Sequence, residues 1–311
     1  MKAIIEKITE QIQEGIYPGA SLALYRKGQW SEHYLGLADP EKGESVVADL
    51  VYDLASVSKV VGVATICAFL YAKGELALDR SFKELYPRFA HEKTTIRELL
   101  THTSGLDPFI PNRDQLDARQ LKTALENLQL KEDKSFHYTD VNFLLLGFWL
   151  EDRFHQPLDR LFEELIFTPW KMTETRFGPV EKAVPTVRGL ASGSVHDPKA
   201  RVLGCHAGSA GLFSTVADLE RFLEHYLKED FARDLSQNFA REEGKTRALG
   251  WNLEGDWLDH TGYTGTFIMY NRKRQEAVIF LSNRTYEKDE RAQWILDRNS
   301  LMDLIKQECE K

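Results

Sequence analysis

The sequence predicts an α+β fold in which both ends of the chain contribute to one mainly antiparallel sheet, flanked by helices, with a helical domain inserted between them. Strand-like segments occur early in the chain and again in its last third. A helical, loop-rich stretch separates them, and an amphipathic helix lies at each end. Runs of strands separated by a run of helices are typical of this class. We therefore expect an α/β domain from residues 1–80 and 200–311 and a helical domain from residues 81–199.

The N-terminal elements are predicted to be a helix followed by a hairpin. Four isoleucines recur at helical spacing before Gly15, which is placed to end the helix. Two apolar segments, 20–25 and 29–35, are joined by the polar link Arg26-Lys27-Gly28. A short link that contains glycine between two such segments indicates a β-hairpin.

The other elements follow from the same patterns. Helical periodicity marks the middle of the chain, and strand-like segments mark its last third. The predicted elements are helices at 96–100, 116–128, 141–154 and 158–167, strands at 248–253, 265–270 and 276–281, and a closing helix at 291–308. The last two strands flank a turn and form a second hairpin.

The composition predicts a soluble globular protein. Of the 311 residues, 42% are apolar and 28% charged, and acids and bases are mixed along a chain of net charge −8. Nucleic acids and anionic membranes are bound by clustered Lys and Arg, which argues against both partners. Three separated cysteines predict neither a disulfide framework nor a metal site, and we expect no cofactor. With no visible signal peptide or uncharged apolar span, the expected location is the cytoplasm.

A Ser–x–x–Lys tetrad opens the most apolar stretch of the chain, residues 51–73. We expect a buried helix over residues 56–73, ended by Gly74. Ser56 and Lys59 would then share one face, with the helix N-terminus beside the hydroxyl. This arrangement suits a nucleophile and its base. The tetrad by itself is equally compatible with Ser56 as an N-cap and Lys59 as a solvated lysine.

Two further segments carry candidate site residues. Tyr138-Thr139-Asp140 precedes an apolar helix, where Asp140 could simply cap the helix and Tyr138 could be a packed aromatic. The segment 259–266, Asp-His-Thr-Gly-Tyr-Thr-Gly-Thr, leads into a strand. Its glycines allow a ligand to approach the backbone closely, although a plain turn with a surface histidine fits the same letters.

Taken in order, these three segments resemble the penicillin-recognising serine hydrolases, and specifically the class C β-lactamase-like family. Further matching segments extend the resemblance over most of the chain: 99–106, 208–215, 249–251 and 281–284. The resemblance implies a β-lactamase/transpeptidase-like fold with the site between the sheet domain and the helical domain.

The resemblance also implies roles for individual residues. Ser56 would be the acylated nucleophile, Lys59 its base or proton relay, and Tyr138 the second member of the proton network. The backbone N–H groups of Ser56 and Tyr263 would form the oxyanion hole, whose donors each supply about 3–4 kcal/mol of transition-state stabilisation. His260, Thr261 and Gly262 would form a wall of the substrate site on an edge strand, and Asp140 would also bind the substrate.

Lysine chemistry sets a condition on this mechanism. A free lysine has a pKa of about 10.4, so a neutral Lys59 at pH 7 requires a lowered pKa. Burial beside Val60 and Val61 would lower it. The sequence does not decide whether Lys59 or Tyr138 is the general base, because two coupled groups can share the proton.

Two positions depart from the family pattern, which has Tyr–x–Asn and Lys–Thr–Gly where this chain has Asp140 and His260. An ionised Asp only accepts hydrogen bonds, and a histidine is largely neutral at pH 7. Both changes should weaken recognition of a substrate carboxylate, and we do not expect efficient penicillin hydrolysis.

The expected function is therefore a serine hydrolase, an esterase or amidase that forms an acyl-enzyme with a small ester, amide or peptide. The alternatives are a catalytically weakened family member that serves as a ligand-binding or interaction module, and a D-Ala peptidase or β-lactamase. No Gly–x–Ser–x–Gly elbow, zinc-ligand spacing or phosphate-binding loop supports another chemistry.

Overall fold

The computed structural model describes residues 1–241 and 245–311. Its main sheet has seven strands in the order β3-β2-β1-β10-β9-β8-β7, and every pairing recorded among them is antiparallel. The strands are β1 Gly19–Arg26, β2 Gln29–Asp39, β3 Glu44–Ser45, β7 Asn252–Glu254, β8 Trp257–Thr261, β9 Phe267–Asn271 and β10 Glu276–Ser282. Since β1 pairs with β10, the two ends of the chain meet in the middle of the sheet. The predicted fold class is confirmed.

A second, three-stranded sheet has the order β4-β6-β5. Its short strands are β4 Tyr52–Asp53, β5 Arg176–Phe177 and β6 Leu212–Ser214. The sequence did not predict these strands, because two or three residues are too few to show alternation. This small sheet matters for the site, since β4 leads directly into the Ser–x–x–Lys segment.

The helices are α1 Lys2–Gln13, α2 Thr65–Ala72, α3 Phe82–Leu85, α4 Ile96–Thr101, α5 Ala118–Glu126, α6 Val141–Phe154, α7 Leu158–Phe162, α8 Pro198–Leu203, α9 Val216–Lys228 and α10 Arg291–Glu310. On the main sheet, side chains alternate between two apolar clusters. Ala277, Ile279 and Leu281 of β10 join the large cluster, whereas Val278 and Phe280 join the smaller one. The smaller cluster includes residues of α1 and α10, and α9 contributes to the large one. Both faces of the sheet are therefore covered.

The predicted central helix is present but is not a regular α-helix. It runs without a break from Ala55 to Ala72, begins as a 3-10 turn and widens into a π-helix at Val60–Ala64 before α2. The Thr65 hydroxyl donates to the Val60 carbonyl at 2.6 Å, which stabilises the wider turn. The segment is long and apolar enough to cross a membrane by length and composition alone, but 78% of it is buried within the protein. It is the core helix of this fold.

Most predicted elements lie where expected, with two informative differences. The β1–β2 hairpin has the predicted turn, with Arg26 paired to Gln29, and α6 has the predicted bounds. The strand predicted at 248–253 shrinks to β7, because Gly250 adopts φ +84° and turns the chain. The helix predicted at 158–167 changes to a π-helix at Glu163–Phe167. The division into domains 1–80 with 200–311 and 81–199 stays a prediction.

Candidate active site

The turn that presents Ser56 is strained. Ala55, just before it, has φ +45°, a left-handed conformation that residues other than glycine rarely adopt. The buried carboxylate of Asp53 fixes this turn by accepting the Ala55 N–H at 2.8 Å and the His196 N–H at 2.7 Å. Leu54 occupies the N-cap position of the helix. Ser56 is therefore not the helix cap, and its hydroxyl is available for other contacts.

The segment 262–266 clamps the other side of this turn. The Thr264 hydroxyl donates to the Asp53 carbonyl at 2.9 Å, and the Thr266 hydroxyl donates to the Leu54 carbonyl at 3.0 Å. Gly262 sits so close that a Cβ atom there would lie 2.6 Å from the Leu54 oxygen. Only glycine allows the two backbones to approach this closely, which explains the glycine in the His–Thr–Gly segment.

Lys59 lies at the centre of the candidate site and has no exposed surface. Its Nζ atom lies 2.8 Å from Ser56 Oγ, 2.7 Å from Asp140 Oδ1 and 2.9 Å from the Ser209 carbonyl oxygen. An ammonium group has three N–H donors and no acceptor, and three acceptors surround this one. The predicted meeting of Ser56 with Lys59 is thus present in the structure.

Asp140 occupies the N-cap position of α6 but makes no capping hydrogen bond. Its carboxylate turns inward instead and binds two lysines. Oδ1 lies 2.7 Å from Lys59 Nζ, and Oδ2 lies 3.2 Å from Lys199 Nζ. Asp140 is therefore an ionic partner within the site rather than a helix cap. Lys199, in α8, is a residue of the site that no sequence pattern singled out.

The charges of this cluster correct the expectation of a neutral Lys59. Burial opposes ionisation of Asp140, but Lys59 and Lys199 together outweigh it and hold the pKa of the carboxyl well below its usual range. Burial by itself would lower the pKa of Lys59, yet the Asp140 carboxylate and then Tyr138 outweigh it, and the pKa of Lys59 is raised. Lys59 is therefore an ammonium at neutral pH. The two valines beside it were visible in the sequence, whereas Asp140 is 81 residues away.

Tyr138 stands beside this lysine. Lys59 Nζ lies 5.3 Å from the centroid of the Tyr138 ring. Tyr138 is 37% exposed to solvent. The buried His102 ring packs against the phenol, with the ring centroids 4.5 Å apart. His102 Nδ1 in turn lies 3.1 Å from Asn142 Nδ2 of α6. The imidazole thus positions Tyr138 at the mouth of the site.

His260 and Thr261 approach the site from β8. The His260 ring is buried, 6.2 Å from the Tyr138 ring, and within residues 1–241 and 245–311 neither ring nitrogen has a hydrogen-bond partner. Burial, followed by the charges of Lys59 and Arg247, lowers the pKa of His260 well below its usual value, so the imidazole is neutral. His260 and Thr261 were expected to lie on an edge strand. This is wrong for β8 as a whole, because β7 pairs with its outer side, but the β7–β8 pairing ends at Asp259, just before His260.

The predicted oxyanion donors are the backbone N–H groups of Ser56 and of Tyr263, the residue after Gly262. The Gly262 N–H itself is occupied by the Thr266 carbonyl at 2.7 Å. No acceptor for the Tyr263 N–H is recorded in the described part of the chain. The Tyr263 hydroxyl donates to Asp289, and the Arg284 guanidinium lies over the Tyr263 ring. A backbone donor beside the Ser56 turn is what an oxyanion hole requires. The pairing of Ser56 and Tyr263 as its two donors stays a prediction.

Arg298 is a second residue that sequence reasoning missed. It lies in α10 and donates from Nη1 to the Thr261 hydroxyl at 3.1 Å. A cavity of about 490 Å³ opens here, lined by both residues and by Lys245. A single arginine in an amphipathic helix carries no sequence signal, because such helices normally expose their charges to solvent. Its role is created by the packing of α10 against the sheet.

Comparison with known proteins identifies the family. The family model described as Beta-lactamase matches residues 4–301. The chain belongs to the beta-lactamase family. The serine hydrolases of this family are enzymes, and the resemblance inferred from the three segments is confirmed.

Proteins similar to this chain have names that refer both to carboxypeptidases and to other hydrolases. A protein of Escherichia coli (strain K12) named "Putative D-alanyl-D-alanine carboxypeptidase" is 27% identical, with 90% of this chain and 81% of that protein covered. A solved Beta-Lactamase/D-Alanine Carboxypeptidase from Pseudomonas syringae has a TM-score of 0.74 at 20% identity, covering 96% of this chain and 98% of the other. EstCE1, a hydrolase with promiscuous acyltransferase activity, has a TM-score of 0.77 at 19% identity, covering 96% and 97%. These structural likenesses show a shared fold.

Proposed function

We propose that this protein is a serine hydrolase that forms an acyl-enzyme on Ser56 with a small ester, amide or peptide. The observation that carries the proposal is the contact of the buried Lys59 ammonium with Ser56 Oγ, at 2.8 Å. A serine hydroxyl is a weak nucleophile until neighbouring groups stabilise its alkoxide and take its proton. Lys59 contacts the half-buried Ser56 directly, and Tyr138 lies beside Lys59, with its ring centroid 5.3 Å from Lys59 Nζ.

The charge state of Lys59 assigns the proton roles in this proposal. Because Lys59 is already protonated, it donates a hydrogen bond to Ser56 Oγ and stabilises negative charge there. Tyr138, in its phenolate form, accepts the Ser56 proton and becomes a neutral phenol as Oγ bonds to the substrate carbonyl carbon. The same proton then passes to the leaving alcohol or amine as its bond to that carbon breaks. Water attacks the ester of Ser56 in the second half of the cycle and regenerates the enzyme.

Intact-protein mass spectrometry tests this proposal. The wild type is incubated with a fluorophosphonate, a p-nitrophenyl ester and a fluorescent penicillin, and we expect at least one acyl or phosphonyl group to be added at Ser56. Ser56→Ala should abolish this labelling. Ser58→Ala is the matched control on the same helix, because the Ser58 hydroxyl accepts the Leu212 N–H and has no contact with Lys59 recorded.

Failure of all three probe classes to label or be turned over would count against a hydrolase. In that case, equal ligand binding by the wild type and Ser56→Ala would favour the alternative of a binding module. The cytoplasmic location also stays a prediction, which cell fractionation tests.

A second candidate function, a D-Ala carboxypeptidase, is favoured by Arg298. The substrate of such an enzyme ends in a carboxylate, and the neutral His260 does not supply a cation. Arg298 supplies one on the other side of Thr261, beside the open cavity. The name of the Escherichia coli relative points the same way.

Paired substrates separate the two candidates. A peptide ending in D-Ala-D-Ala and its methyl ester differ only in the terminal charge. For a carboxypeptidase, Arg298→Gln should lower kcat/KM for the free acid by more than tenfold and leave hydrolysis of p-nitrophenyl esters nearly unchanged. Equal losses on both substrates would assign Arg298 a purely structural role.

A further inference from the structure

Lys199 is held in a fixed position next to the reaction centre. Its side chain is only 14% exposed, and Nζ lies 3.2 Å from Asp140 Oδ2 and 4.0 Å from Asp197 Oδ2. It stands in the first turn of α8, where the Asp197 carboxylate caps the helix by accepting the Ala200 N–H at 2.8 Å. The capped turn and the ion pair both restrict this lysine, so its charge is placed precisely relative to Asp140.

The charge balance of the cluster gives this lysine a role. Where the family pattern has Asn, Lys59 faces a neutral amide and the pair has a net charge of +1. With Asp140 in that position, Lys59 and Asp140 together have a net charge of zero. Adding Lys199 returns the three-residue cluster to +1. Asp197 is the more distant carboxylate, 4.0 Å from Lys199 Nζ against 3.2 Å for Asp140. Its other oxygen caps α8 by accepting the Ala200 N–H. A reaction that develops negative charge on Ser56 Oγ and on the substrate oxygen is favoured by this positive charge.

Other charged and titratable groups around the centre do not replace Lys199. They lie just after α4, just before α6, in the segment before β7, in β8 and in α10, and they are His102, Tyr138, Lys245, Arg247, Asp259, His260 and Arg298. Burial first, and then neighbouring cations, keep His102 and His260 neutral. The two arginines are directed elsewhere, since Arg247 binds Asn252 and the Gly250 carbonyl and Arg298 binds Thr261. The described groups that share the Asp140 carboxylate are Lys59 and Lys199.

We propose that Lys199 is a positioning residue of the reaction centre, which shares the Asp140 carboxylate with Lys59 and restores the positive charge that Asp140 would otherwise cancel. The proposal rests on the proposed function, since it concerns acylation of Ser56. It explains how a chain with Asp in place of Asn can retain the rest of the acylation machinery: the substitution is compensated by a lysine from another helix.

Acylation rates across pH test this role in four proteins: wild type, Lys199→Met, Lys199→Arg and the double variant Asp140→Asn/Lys199→Met. In Lys199→Met we expect the rate at pH 7 to fall about tenfold, and the acid limb of the pH–rate profile to move upward by about one pH unit. Lys199→Arg keeps the charge and should stay close to the wild type. The double variant returns the cluster to +1 and should recover most of the lost rate.

These outcomes separate an electrostatic role from a structural one. If the double variant is no faster than Lys199→Met, or if Lys199→Met leaves the acid limb unchanged, the proposal is overturned. A cycle of urea midpoints for Asp140→Asn, Lys199→Met and the double variant does not depend on activity. We expect the two changes to be non-additive, and strict additivity would also overturn the proposal. Absence of labelling in the wild type would instead refute the proposed function.

Discussion

At the scale of single residues, Asp53 shows what it takes to present the candidate nucleophile. Its side chain is 2% exposed and accepts the N–H groups of Ala55 and His196. Burial raises the pKa of this carboxyl to about 6, because the two hydrogen bonds only partly offset the loss of solvation. The strained turn at Ala55 is therefore maintained by a carboxylate whose charge is costly at neutral pH.

This cost predicts a pH dependence of stability. A carboxyl whose pKa is raised in the folded state stabilises the fold fully below its unfolded pKa, about 3.9, and that contribution is lost as pH rises through 6. Asp53→Asn removes the titrating group and one acceptor. The free energy of unfolding of the wild type minus that of Asp53→Asn should therefore fall by about 2 kcal/mol between pH 4 and pH 7. Urea unfolding at a series of pH values measures this difference.

The exposed Asp234→Asn serves as the control for Asp53→Asn, because it removes a carboxylate that lies on the surface. A difference between wild type and Asp53→Asn that stays constant with pH would contradict the assigned titration.

At the scale of elements, contact between α6 and the segment 208–215 sets the position of the Ser209 carbonyl, a hydrogen-bond acceptor of Lys59. A Cβ atom added at Gly208 would lie 2.4 Å from the Phe143 carbonyl oxygen and 3.1 Å from Gly147 Cα. The two backbones therefore touch. The next residue, Ser209, directs its carbonyl oxygen at Lys59 Nζ. The small residues at this crossing are thus part of the construction of the site.

Gly208→Ala should consequently affect both stability and acylation. The new methyl group meets backbone atoms, which cannot move independently of α6, and we expect a loss of about 1–3 kcal/mol in the free energy of unfolding. Separation of the two elements should also withdraw the Ser209 carbonyl and slow acylation of Ser56. Denaturant unfolding and probe labelling measure the two effects.

Gly255→Ala is the matched control for this crossing. Gly255 has φ +59° and no atom within 4 Å of an added Cβ, so the variant experiences only backbone strain. If Gly208→Ala labels Ser56 as fast as Gly255→Ala does, the crossing does not position the site.

At the scale of the whole molecule, one apolar cluster joins the sheet to the helical middle of the chain. It contains Ile279 of β10, Val63 of the central helix and Leu145 of α6. Because the central helix is buried between these parts, the predicted 81–199 domain and the sheet share this core. Shared cores favour cooperative unfolding.

We therefore expect a single unfolding transition. Leu145→Ala and Ile279→Ala each remove a fully buried side chain, from the helical part and from the sheet, and each should lower the free energy of unfolding by about 2–5 kcal/mol. Tryptophan fluorescence and far-ultraviolet circular dichroism should report the same urea midpoint in both variants. Separate midpoints for the two probes would show that the two predicted domains unfold independently.

Local patterns in the sequence were sufficient for much of the fold. The β1–β2 hairpin, α6 and the central helix each have a signal within their own residues: a Gly-containing turn, apolar periodicity and a helix end at Gly74, which has φ +71°. The small sheet β4-β6-β5 had no such signal. Its strands pair residues that are more than 30 positions apart, and their shortness leaves no periodicity to detect.

For the site, the residues Ser56, Lys59 and Tyr138 and their order along the chain were enough to identify the reactive groups and the family they resemble. Tertiary structure alone decided their charges and partners. Lys59 is an ammonium because Asp140 reaches it, and Asp140 is compensated by Lys199 from α8. Electrostatic energies depend on distances through space and on burial. Neither can be obtained from positions along the chain when Lys59 and Lys199 lie 81 and 59 residues from Asp140.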